Sequence, residues 1–137
     1  MTIWIAGEPG GKIANIMRNP KVALTIYEPV DHELEQKSVQ VWGTAELINL
    51  KNNENEYLKR IEAFGLKEAA GGLMEKMAQK GQIPAGQEES ILEKMFRRFN
   101  LIKVTPAKVV MLHMGPNNPP ARKIWENGTA TVKLSGF

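Results

Sequence analysis

The stretch IWIAGEPGGKIANIMRNPKVALTIYEP, Ile3 to Pro29, decides the fold class, because it changes character from strand to loop to helix and back to strand. Thr2 to Ala6 is a β-branched and aromatic run and reads as a strand. Gly7 to Gly11 crowds glycines and a proline together, which breaks either periodicity and predicts a loop. Lys12 to Arg18 then sets Ile13, Ile16 and Met17 at helical spacing, giving a short helix of about two turns. Asn19-Pro20 ends it, because a residue before proline is pushed out of the helical region. Lys21 to Tyr27 returns to strand, with Val22, Leu24 and Ile26 on one face.

Outward from that stretch, Glu28 to Gln36 is a polar connection and Lys37 to Leu50 is a strand in which Val39, Val41, Ala45 and Leu47 alternate with polar neighbours. Gly43 within it predicts a bulge or a close backbone approach. The two strands form an antiparallel pair joined by a long loop. Glu54 to Phe64 carries Tyr57, Leu58, Ile61 and Phe64 on one helical face, with Gly65 as its C-terminal cap. Leu66 to Lys80 is a second helical stretch with a break expected at Gly71-Gly72, since each glycine costs about 1 kcal/mol against alanine. Glu88 to Arg98 is a third helix, with Ile91, Leu92, Met95 and Phe96 inward. Asn100 to Val104 and Ala107 to Met114 are strands either side of Thr105-Pro106, Gly115 to Ala121 is turn or coil, and Lys123 to Leu134 is a hairpin around Asn127-Gly128. The order β-α-β-β, three helices, then β-β-β predicts an α+β domain of mainly antiparallel strands. It is most simply a small barrel, one domain over 1–137, with a helical insertion over about 54–98.

Composition narrows the classes. With 137 residues, 42% hydrophobic and 24% charged, the chain is long enough for one real core and is not disordered as a whole. It has no cysteine, which removes disulfides, thiolate catalysis, iron–sulfur clusters and Cys-built zinc sites. No apolar run reaches the ~18–20 residues that cross a bilayer, and no basic region precedes the short apolar start, so the expected location is the cytoplasm, away from membranes. The 18 Lys and Arg stand against 15 Asp and Glu, a net charge of +3, and the two signs are interleaved. That mixing is a solvated face, not a nucleic-acid stripe.

The sharpest candidate for chemistry is Gly10-Gly11-Lys12, between a strand and a helix. Glycines let backbone amides approach a ligand, a helix start adds unpaired donors, and Lys12 adds a full charge, which together make an anion site. The Walker spacing is missing. His32 and His113 have no ligand-spaced partner, so no metal site is expected. Ser38, Ser90 and Ser135 lack a nucleophile elbow, and no carboxylate pair stands out by spacing. Trp4, Trp42 and Trp125 lie in or beside strands, where they serve as core or interface aromatics or as walls for a planar ligand.

In this order the elements resemble the pyridoxamine 5′-phosphate oxidase-like family of FMN-binding split barrels. Its pattern is a strand, a loop ending in Ser-Arg-Lys or similar, a short helix closing in Asn-Pro, a strand, and a later strand with a central glycine. Ile3–Ala6, Gly10–Lys12, Lys12–Pro20, Val22–Tyr27 and Val39–Leu47 with Gly43 match it in order, and FNLIKVTPAKVVML resembles a further barrel strand. The resemblance implies a split β-barrel homodimer with FMN at the subunit interface. It implies that Lys12 binds the flavin phosphate, that Gly11 stands where many members carry arginine, and that the backbone of Ile5 and Ala6 lies along the flavin. Ser38 falls where members place a polar residue that reaches the cofactor across the dimer. Arg122, Lys123 and Trp125 resemble the family's C-terminal basic and aromatic contacts. In the family a helix and two strands precede the segment that starts here at Met1. The Arg-Leu-His of the true oxidases does not occur; ARKIWENG stands in that region, so vitamin B6 oxidation is not expected.

Three readings follow from the resemblance. The first is a flavin-dependent oxidoreductase acting on a small molecule. The second is a flavin-nucleotide carrier without turnover, with a deazaflavin- or haem-binding variant in which His32 or His113 would be the axial ligand. The third is a cofactor-free interaction domain.

Overall fold

The computed structural model describes residues 1–29 and 34–134. Ten elements follow one another: β1 (Ile3–Gly7), α1 (Gly11–Arg18), β2 (Lys21–Glu28), β3 (Gln36–Ile48), α2 (Glu54–Ala63), α3 (Leu66–Gln79), α4 (Glu88–Arg98), β4 (Asn100–Gly115), β5 (Asn118–Glu126) and β6 (Thr129–Leu134). The strands form a sheet in the order β2-β3-β4-β5-β6, with β1 on β4. The class is α+β, mainly antiparallel, with α2–α4 inserted between β3 and β4. Contacts gather into two compact units: residues 1–3, 19–45 and 104–137 in the first, and 4–18 and 46–103 in the second.

In the first unit β2 and β3 pair antiparallel from Lys21↔Thr44 to Glu28↔Lys37 without a shift of register. Gly43 is therefore no bulge against β2. It is a close approach: a Cβ there would lie 2.4 Å from the Thr105 carbonyl oxygen and 3.0 Å from the Pro106 Cα. On β2, Val22 and Leu24 are half-buried, whereas Ile26, farther along the same strand face, is 55% exposed. β4 runs unbroken through Thr105-Pro106, where two strands were expected. Pro106 is buried, and Val104, Val109 and Val110 are buried on either side of it. This packing holds the strand together past its missing N–H. Strand β5 also begins earlier than expected, at Asn118, inside the stretch that reads as coil. The ladder steps from His113↔Ala121 to Gly115↔Asn118, so Pro119 and Pro120 together oppose Met114. Prolines fit at such a bulge because no ladder donor is needed there. The hairpin at Asn127-Gly128 is as expected, and both residues have positive φ (50° and 80°), the requirement of a tight two-residue turn.

In the second unit Ile48, Tyr57, Ile61 and Leu101 are buried together, with Trp4, Leu50, Leu66, Phe96 and Phe99 packed around them. Helix α1 buries Ile13 and Ile16, while Met17 is 75% exposed. Asn53 caps α2 by accepting from the Glu56 amide at 3.3 Å. Gly65, at φ 61°, turns the chain from α2 into α3. Helix α3 does not break at Gly71-Gly72. The glycines are half-buried and Met74 beyond them is buried, so packing of this face outweighs the cost of two poor helix formers. On α4, Ile91, Leu92, Met95 and Phe96 are half-buried, the expected inward face.

Candidate functional site

The second unit carries the start of α1. The helix begins at Gly11, and its first closed hydrogen bond runs from the Ala14 amide to the Gly10 carbonyl at 3.2 Å. The amides of the first turn before Ala14 have no partner inside the helix. No acidic residue occupies that turn, and Lys12 is exposed within it. A Cβ on Gly10 or Gly11 would meet nothing within 4 Å, so the space before the helix is open. Unpaired amides, a positive dipole end and an ammonium group make a donor set that fits a phosphate. Ile5 is half-buried and Ala6 exposed on β1, which leads into the same loop. Four of the expected residues, Ile5, Ala6, Gly11 and Lys12, thus sit on one strand–loop–helix unit.

The other three lie in the first unit. Ser38, half-buried on β3 opposite Tyr27, lines a cavity of about 590 Å³. Arg122 is exposed on β5 opposite Leu112 and does not line that cavity. Its neighbours Ala121 and Lys123 do. Trp125, half-buried opposite Val109, follows Lys123 on the same strand face and lies outside the lining.

Sequence reasoning missed a pair at this cavity. The His113 ring donates from Nε2 to Glu35 Oε1 at 2.5 Å. Glu35 also lies 3.7 Å from Lys37 Nζ, which reaches Glu28 at the same distance. His113, Lys37 and Glu28 line the cavity beside Ile26, Tyr27 and Met111. Glu35 and His113 are 78 positions apart, and no spacing rule joins them. As for a haem ligand, His113 Nε2 is committed to Glu35, and His32 lies outside the described residues. Among the described residues no group of three metal-ligating side chains forms, and no helix is long and apolar enough to cross a membrane.

No family model and no curated protein matches the sequence. Among solved structures, a pyridoxamine 5′-phosphate oxidase-related, FMN binding protein from Nostoc punctiforme PCC 73102 is similar over 98% of this chain and 73% of its own. The TM-score is 0.60 at 15% identity. The chain therefore has the fold its sequence resembles, the split barrel of the pyridoxamine 5′-phosphate oxidase-like proteins. At that identity the likeness carries the fold and not the chemistry.

Proposed function

We propose that the protein binds FMN, with the phosphate at the start of α1, and that it is a flavin-dependent oxidoreductase of the cytoplasm. The observation that carries this reading is the open, acid-free helix start at Gly10-Gly11-Lys12 in a chain sharing the fold of an FMN binding protein. Lys12 and the first-turn amides hold the phosphate, and the backbone of Ile5 and Ala6 runs along the ligand. Ser38 comes from the second copy of a homodimer, and Arg122 and Trp125 complete the basic and aromatic contacts. A bound flavin supplies hydride and electron transfer; the protein supplies binding and orientation. The substrate is a small molecule.

The test is the visible spectrum of purified protein before and after FMN addition and desalting, followed by titration of wild type and Lys12→Ala. Loss of a charge-assisted contact worth about 1.5–3 kcal/mol weakens FMN roughly ten- to a hundredfold, with the lower end expected because Lys12 is exposed. Equal affinity in the two proteins would falsify the phosphate assignment. Sedimentation at micromolar concentration tests the dimer, and a monomer there would remove the cross-subunit role of Ser38.

A further inference from the structure

We propose that the groove between α3 and α4, inside the second unit, binds a single-chain amphiphile with an anionic head, a free medium-chain carboxylate. Helix α4 carries four apolar residues, Ile91, Leu92, Met95 and Phe96, and none of them is fully buried. Between the helices lies a cleft of about 250 Å³, to which α3 contributes Leu66, Ala69, Ala70 and Leu73 and α4 contributes Met95. Sites for cofactor- and drug-sized ligands run to about 300–1,000 Å³, so this cleft suits something slender. Its wall is wet, since Leu73 is 56% exposed and Ala69 is exposed beside it. An alkyl chain laid there removes that surface from water.

A basic hollow adjoins the cleft. It has a volume of about 560 Å³ and is lined by Ile91, Lys94, Met95, Arg97 and Arg98. Met95 lines both, so the apolar surface runs from one into the other. Arg97 is held by Glu93 at 2.6 Å. Lys94 and Arg98, one helical turn apart, form no ion pair among the described residues. The two arginines stand in the last turn of α4, where they also meet the negative end of its dipole, but Lys94 lies a turn earlier. Among the described residues the acid in these linings is Glu8, which borders the cleft and not the hollow. That placement sorts the ends of a ligand: the tail enters the cleft, and the head takes charge-assisted hydrogen bonds from Lys94 and Arg98. Clusters that dock on anionic bilayers carry about 4–8 Lys and Arg, whereas two suffice for one carboxylate. None of the residues assigned to the flavin lies in either lining, and the inference does not rest on that reading.

The protein is titrated calorimetrically with decanoate, decanol and decyltrimethylammonium, each below its micellar concentration. The expected result is saturable binding of one decanoate per chain, with decanol about fivefold weaker and the cation weaker still. Combining Lys94→Gln with Arg98→Gln brings decanoate down to the affinity of decanol and leaves decanol unchanged. Leu73→Gln weakens decanoate and decanol alike, about three- to fivefold, because it removes part of the apolar wall. All three side chains are exposed, and circular dichroism melts of each variant establish that it is folded. Absence of saturable decanoate binding, equal affinity for decanoate and the cation, or a wild-type ratio of decanoate to decanol in the folded double variant each overturns the proposal. Co-sedimentation with phosphatidylglycerol vesicles in place of decanoate binding overturns it too, and would make this face a membrane-docking surface.

Discussion

Tyr57→Phe isolates a tie inside the second unit. Tyr57 is 1% exposed, and its hydroxyl donates to the Phe96 carbonyl at 2.9 Å. Phe96 lies in the last turn of α4, where carbonyls have no helical partner, so the phenol of α2 serves as a cap on α4. Removing the hydroxyl leaves that carbonyl without its donor at a cost of about 1–2 kcal/mol. With an unfolding entropy of about 2.1 cal/mol/K per residue, the melting temperature falls by roughly 3–7 °C. Burial also pushes the Tyr57 phenol up from 10.0 to about 12. The folded state therefore favours the neutral phenol. Its stabilising contribution is complete below pH 10 and is lost as pH rises through 12. By pH 11 the loss is about 1.4 kcal/mol, which cancels most of the advantage of wild type over the variant. Urea unfolding followed by circular dichroism at pH 8 and pH 11 measures both quantities. A gap that is absent at pH 8, or that stays constant up to pH 11, refutes the reasoning.

Replacing Gly71 and Gly72 together by Ala should stabilise the protein by about 1 kcal/mol per site, because α3 is continuous and nothing lies within 4 Å of either new Cβ. A lowered melting temperature would mean that this segment is not helical. Gly43→Ala should cost about 2–3 kcal/mol, since the new methyl meets the Thr105 carbonyl at 2.4 Å with backbone on both sides; a neutral result in urea unfolding contradicts the close approach. Asn53→Ala should cost about 1 kcal/mol through loss of the α2 cap, read by the same assay. Gly11→Arg, which restores the residue common in the resembling family into open space, should tighten FMN about tenfold in a flavin-fluorescence titration. Weaker binding would place the phosphate elsewhere.

What could be read from the sequence was local. The β1–α1–β2 stretch, the Gly65 joint and the Asn127-Gly128 hairpin each follow from residues a few positions apart, and each is present. The misread element boundaries concern places where tertiary packing overrules a local breaker. Gly71-Gly72 stays helical over a buried Met74, and Thr105-Pro106 stays extended with Pro106 buried. Pro119-Pro120 fits into β5 because a bulge absorbs it. Each compensation depends on what the segment packs against or pairs with, which the breaker's own neighbours in sequence do not show. The candidate site divides the same way. The anion-binding features at Lys12 are contiguous, whereas the His113–Glu35 pair exists only because β4 and the β2–β3 connection meet.

The contiguous part of the candidate site has a chemical signature that pH exposes. The start of α1 offers several amides and a permanent ammonium charge, which suit a ligand with more than one negative charge. A phosphate monoester gains its second charge near pH 6, so FMN held there binds more tightly as pH rises from 6 to 8. A fall in FMN affinity over that interval would instead place the phosphate away from the start of α1.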